Sequence, residues 1–152
     1  MEIELKREID LPTLMRWRRE VICHVFGVPP DDALMEANRR YYERHIADGT
    51  HIAFVAVANG GECGCGGICF GDELPSPDNP SGRCAYLMNI YVREAFRKHG
   101  VAHAVVRRLI SEARSRGCGK IYLESTQEGR GLYLSTGFRD MPDMMKYYED
   151  ED

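Results

Sequence analysis

The chain opens with Ile3 and Leu5 alternating against Glu2, Glu4 and Lys6, and this period of two predicts a half-buried strand over residues 1–7. Asp10 just ahead of Pro12 reads as a helix N-cap with a proline in the first turn. Leu11, Leu14, Met15, Arg18, Val21, Ile22 and Val25 then recur at helical spacing, and Gly27 with Pro29 and Pro30 closes that helix. A second helix is predicted from Asp31 or Asp32 to the Asp48-Gly49 pair. Its inner face carries Leu34, Met35, Asn38, Tyr41, Tyr42, His45 and Ile46.

At residue 51 the period changes. HIAFVAVA is a continuous apolar strand, Asn59-Gly60-Gly61 is a hairpin turn, and residues 62–70 form a glycine-rich strand with room for a bulge. Residues 71–83 are dense in Pro, Gly, Ser and Asp and read as a loop. CAYLMNIYV (84–92) predicts a strand buried on both faces. The clearest helix runs over residues 100–116, with Val101, Ala102, Val105, Val106, Leu109, Ile110 and Ala113 as its stripe and Gly117 as its stop. KIYLES (120–125) predicts another strand and residues 129–135 a short helix. Two final short strands are expected around residues 139–141 and 145–148, with 149–152 as a frayed acidic tail. The layout is α+β, and residues 1–152 are expected to form one domain.

Composition narrows the function. Hydrophobic residues at 43% and charged residues at 29% support a packed core. A net charge of −4 argues against a nucleic-acid binder working through overall basicity. No apolar run approaches the roughly 20 residues of a membrane span, and the charged N-terminus is neither signal nor transit peptide. No nucleic-acid or membrane partner is therefore expected, and the location is expected to be cytoplasmic. Six cysteines at 23, 63, 65, 69, 84 and 118 fit a reduced compartment better than a disulfide framework. Cys63-Gly64-Cys65 lacks the spacing of a metal pair, so no metal is expected; a metal or redox protein built on Cys63, Cys65 and Cys69 is the competing reading.

The chemistry gathers between residues 85 and 138. Arg97-Lys98-His99-Gly100-Val101-Ala102 opens the long helix, and no Ser, Thr, Asp or Asn stands just before it. Its first amides thus need an outside acceptor, at a helix end carrying about half a positive charge. Arg97, Lys98 and His99 add positive charge, and Gly100 leaves room for close approach. Together these residues form an anion cradle suited to a phosphate or diphosphate.

With this cradle, the sequence resembles the GNAT superfamily of acyl-CoA-dependent N-acetyltransferases. Arg97-x-x-Gly100-x-Ala102 matches the R/Q-x-x-G-x-G/A signature for the coenzyme A diphosphate, and Asn89-Ile90-Tyr91-Val92 is similar to the strand that aligns the pantetheine arm. Leu132-Tyr133 with Gly137-Phe138 is similar to the family's late L-Y-x-x-x-G-F element. No G-x-x-x-x-G-K-[ST] or G-x-G-x-x-G is present, so nucleoside triphosphate and dinucleotide sites lose ground. The resemblance implies an α/β fold with a mixed, mostly antiparallel central sheet flanked by about four helices. The sheet would splay between two parallel strands, 84–92 and 120–125. Acetyl-CoA would enter that wedge as cosubstrate, held by Ile90, Tyr91, Val92, Arg97, Lys98, His99, Gly100, Val101 and Ala102. Thr126, seven residues before the tyrosine where the family often has asparagine, would join them.

The implied reaction is acetyl transfer to a primary amine of a small molecule or peptide, by direct attack in a ternary complex. An amine with a pKa of about 10.4 is almost wholly protonated at neutral pH, so a base must free it, and the leaving thiolate needs a proton. Tyr133 is the candidate acid, the alternative being a packed core tyrosine. Glu124 is the candidate base, directly or through a water across the splay from Asn89; alternatively it faces solvent or pairs with an arginine. At the strand position where some family members carry a glutamate, this chain has Tyr86. A sensor that binds acyl-CoA without transfer is the second function considered, and exposed strand edges allow a homodimer.

Overall fold

The computed structural model describes residues 1–150; of the acidic tail, residues 151 and 152 lie outside the described residues. Strand β1 (Ile3–Glu8) leads to helix α1 (Leu11–Phe26), capped by the Asp10 side chain accepting from the Thr13 amide. Gly27 ends α1 with φ 74°, a left-handed cap that glycine adopts freely. Helix α2 (Asp32–Ala47) starts at an Asp31 cap. The strands β2 (His51–Ala58), β3 (Gly61–Asp72) and β4 (Arg83–Val92) follow, then a single 3-10 turn over Glu94–Phe96. Helix α3 (Val101–Ser115), strand β5 (Lys120–Leu123) and helix α4 (Arg130–Ser135) complete the order.

The strands lie in one sheet in chain order, antiparallel from β1 to β4, with β5 parallel to β4. Helix α3 covers one face. Its Val101, Val105, Leu109 and Ala113 bury against Ile52, Phe54, Ala56, Ile68, Ala85 and Leu87. The glycine-rich composition of β3 serves this contact, because a Cβ at position 66 would stand 2.5 Å from a Val105 methyl. Helices α1 and α2 cover the other face, where Trp17 and Val21 pack on Val55 and Cys65, and Leu14 and Tyr42 on Ala53.

A bulge in β3 between its pairings with Ala56 and Val57 turns neighbouring cysteines apart. Cys63 joins the cluster under α3 and Cys65 the cluster under α1, so the two thiols cannot share a ligand. All six cysteines are free thiols, and among the described residues no three His, Cys, Asp or Glu side chains converge as metal ligands. No described helix is long and apolar enough to cross a membrane.

Three expectations change. Strand β5 stops at Leu123 rather than residue 125, because β4 diverges beyond that point and offers no partner. The two strands expected near 139–141 and 145–148 do not form among the described residues. Met145 is 97% and Tyr147 83% exposed, so the segment has no face on which to bury its apolar side chains. Nor is β4 buried on both faces throughout: residues 88–91, beyond its pairing with β5, are half-buried.

Candidate active site

The pairing of β4 with β5 runs from Cys84↔Lys120 to Leu87↔Leu123 and ends there. Beyond it the strands fork, and from Met88 to Val92 the β5 side of β4 has no strand partner. Asn89 sits at the fork with φ 58°, inside a register shift against β3. A left-handed residue here breaks the strand's alternation and re-aims the backbone that follows.

A cleft of about 720 Å³ opens along this fork. One wall is Ile90, Tyr91 and Val92 with His24 and Val25 from the end of α1; the other is Thr126, Glu128, Gly129, Leu132 and Tyr133. Its floor is the loop and helix start at Phe96, Arg97, Lys98, Gly100, Val101 and Ala102, with His103. Every residue nominated for the coenzyme lies here except His99, which is exposed and outside the lining. Lys98 and Gly100 both take left-handed backbone, φ 64° and 84°, so the loop turns tightly into the helix. A Cβ at Gly100 would meet nothing within 4 Å. The glycine is therefore set by its dihedral rather than by crowding.

The helix start is uncapped. No side chain bonds the N-terminus of α3, and its first backbone bond is Ala104 N–H to Gly100 O at 3.0 Å. The amides of Val101, Ala102 and His103 precede that ladder and face the positive end of the helix dipole. Arg97 is held at the rim by its Nε, which donates to the Val92 carbonyl at 3.0 Å. An open cleft, uncapped amides and a free strand edge fit the diphosphate and amide-bearing arm of coenzyme A.

Tyr133 is half-buried in the same cleft, its ring edge-on to Phe138 at 5.9 Å. Burial pushes its phenol above the ordinary value, so it stays protonated at neutral pH. Glu124 is exposed just past the end of β5 and does not line the cleft. The Tyr86 phenol lies within its influence, and the Tyr86 ring packs on Tyr122 at 5.0 Å, tilted by 41°. Burial first, then the Glu124 carboxylate, pushes the Tyr86 phenol up to about 12. Asn89 accepts a 2.9 Å hydrogen bond at Oδ1 from Arg18.

On the α1/α2 face, the half-buried Tyr41 of α2 meets the buried His51 of β2. Tyr41 Oη and His51 Nδ1 are 2.8 Å apart. Burial pushes His51 down to about 4, with the charges of His45 and Arg18 acting in the same direction. His24, His103 and Glu128 escaped the sequence reading, since a histidine near a helix end has no spacing that marks it. Only the fold brings them to the cleft.

A family model described as the acetyltransferase (GNAT) family matches residues 14–138. Glucosamine 6-phosphate N-acetyltransferase 1 of Oryza sativa subsp. japonica is 37% identical over 135 residues, covering 87% of this chain and 79% of the relative. A predicted acetyltransferase from Clostridium acetobutylicum, whose crystal structure is with acetyl-CoA, superimposes with a TM-score of 0.85 at 25% identity, covering 97% of this chain and 96% of that one. A GCN5-related N-acetyltransferase from Ralstonia eutropha JMP134 superimposes with a TM-score of 0.79 at 25% identity, covering 97% and 99%. The chain belongs to the acetyltransferase (GNAT) family, enzymes that carry an acetyl group from acetyl-CoA to an amine.

Proposed function

We propose that the β4–β5 fork binds acetyl-CoA and that the acetyl group passes there to a small primary amine, with glucosamine 6-phosphate as the first acceptor to test. The observation that carries the reading is the convergence of the forked strand edge, the uncapped start of α3 and Tyr133 on one cleft. The amides of residues 101–103, Arg97 and Lys98 receive the diphosphate, and the backbone of Ile90 to Val92 lines up the pantetheine arm. The acceptor is suggested by the rice relative, whose name specifies a phosphorylated amino sugar.

The chemistry then balances as follows. The amine gives a proton to Glu124, directly or through water, and its nitrogen attacks the thioester carbon. A C–N bond forms, the C–S bond breaks and the departing thiolate takes the phenolic proton of Tyr133, while the second proton, shed by the nitrogen as it becomes an amide, passes through solvent to the Tyr133 phenolate. The donation accompanies C–S cleavage, as charge builds on the sulfur, and solvent reprotonates the phenolate afterwards. Tyr86, held protonated beside the Glu124 carboxylate, positions it.

The test is thiol release from acetyl-CoA against a panel of glucosamine 6-phosphate, other small amines and lysine peptides. Acceptor-dependent release that tracks acetylated product supports the reading. Binding of acetyl-CoA with no transfer to any amine would favour a sensor instead.

A further inference from the structure

We infer that Arg18 is a specificity residue that reads an anionic group on the acceptor, so that the favoured substrate is a small amine also carrying a phosphate or carboxylate. This rests on the fork being the transfer site. Arg18 lies on the inner stripe of α1 and is half-buried. Its Nε donates to Asn38 Oδ1 on α2 at 2.9 Å, and its Nη1 donates to Asn89 Oδ1 at the fork, also at 2.9 Å.

Both partners are neutral amides. No carboxylate lies within ion-pair distance of Arg18 among the described residues, whereas Arg16, Arg93 and Arg130 each have one and Arg39 has two. A guanidinium taken partly out of water without a counter-charge is costly, which makes the arrangement unlike ordinary helix stapling. Its charge is felt locally, contributing to the downward shift of buried His51 and opposing the rise at Tyr42.

Two of its five N–H donors are committed, and Nη2 bonds to no described residue. No buried side-chain nitrogen lacks a partner among the described residues, so Nη2 reaches solvent. Two asparagines thus pin the guanidinium in one orientation, with a free donor edge beside the fork. A planar donor edge of this kind matches the paired oxygens of phosphate or carboxylate. Because Nη1 bonds Asn89 at the fork, an anion held at Nη2 would lie beside an amine bound in the fork. A peptide lysine carries no such anion beside its amine.

The experiment compares kcat/KM for glucosamine 6-phosphate, glucosamine and 2-amino-2-deoxygluconate in the wild type, Arg18→Gln and Arg18→Lys. Acetyl-CoA binding and melting temperature are measured for each to confirm folding. The wild type should prefer one anionic acceptor over glucosamine by at least tenfold, the phosphate and the carboxylate being distinguished by which one it is. Arg18→Gln should lose at least tenfold more activity on that anionic acceptor than on glucosamine, and Arg18→Lys should recover part of the difference. An equal loss on charged and uncharged acceptors, or a preference that survives in Arg18→Gln, would overturn the inference. Absence of transfer to every amine, with or without acetyl-CoA binding, would instead overturn the transfer reading on which it rests.

Discussion

Leu87 and Leu123 are the last residues through which β4 and β5 pair, and the candidate chemistry lies just past them on both strands. Beyond Leu87 come Asn89, pinned by Arg18, and the free edge of Ile90 to Val92; beyond Leu123 come Glu124 and Thr126. A parallel pair that ends after four residues leaves backbone donors and acceptors unmatched, and a buried strand edge must find other partners. The opening is therefore a demand of the fold that an amide-bearing ligand can meet.

Replacing Tyr133 with Phe keeps the ring packed on Phe138 and removes only the proton source. Steady-state kinetics should show kcat lower by about a hundredfold, with KM for acetyl-CoA changed less than threefold. A variant that turns over at the wild-type rate would remove Tyr133 from the reaction.

Glu124→Gln should cost about a hundredfold in kcat at pH 7, and the deficit should shrink towards pH 9 as the free amine becomes its own supply. Tyr86→Phe should cost less, because Tyr86 acts only by orienting Glu124. The pH–rate profiles of the two variants decide the point: a deficit in Glu124→Gln that is constant across pH would mean that the residue does not serve as base.

Much of this is legible in the chain itself. The helix stripes, the Asp10 and Asp31 caps and the Asn59-Gly60 turn are local features, and local propensity is enough to place them. The cradle is legible for the same reason, since Arg97 to Ala102 are contiguous. What is not legible depends on distant segments. His24 reaches the cleft because α1 ends beside Tyr91, their rings 5.0 Å apart. The Arg18–Asn89 contact spans 71 residues, and nothing in the spacing of either residue announces it. The two C-terminal strands fail for a related reason: alternation can suggest a strand, but only a partner makes one.

Gly100→Ala forces a side chain into left-handed backbone, φ 84°, at a cost of about 1–2 kcal/mol. The strain falls on the loop that aims the α3 amides. A lower melting temperature together with a several-fold weaker acetyl-CoA Kd is expected, and calorimetry reads both. Unchanged affinity would separate the loop geometry from coenzyme binding.

His51 governs part of the acid stability. Its folded value is lowered to about 4 from an ordinary 6.5, so the unfolded chain binds a proton at a pH where the folded one does not. The stabilisation is complete above pH 6.5, erodes as pH falls towards 4 and is spent below that, amounting to at most about 3 kcal/mol. Denaturant titrations of His51→Gln should therefore show a shallower fall in stability between pH 6.5 and 4 than the wild type. Parallel curves would mean that other groups carry the acid sensitivity.

The central claim is that the uncapped start of α3 and the free edge of β4 grip the coenzyme together. A titration of ¹⁵N-labelled protein with acetyl-CoA, read amide by amide, tests it most directly. Saturable shifts are expected at Val101, Ala102 and His103 in concert with Ile90, Tyr91 and Val92. Saturation that moves other amides while leaving those six in place would contradict it.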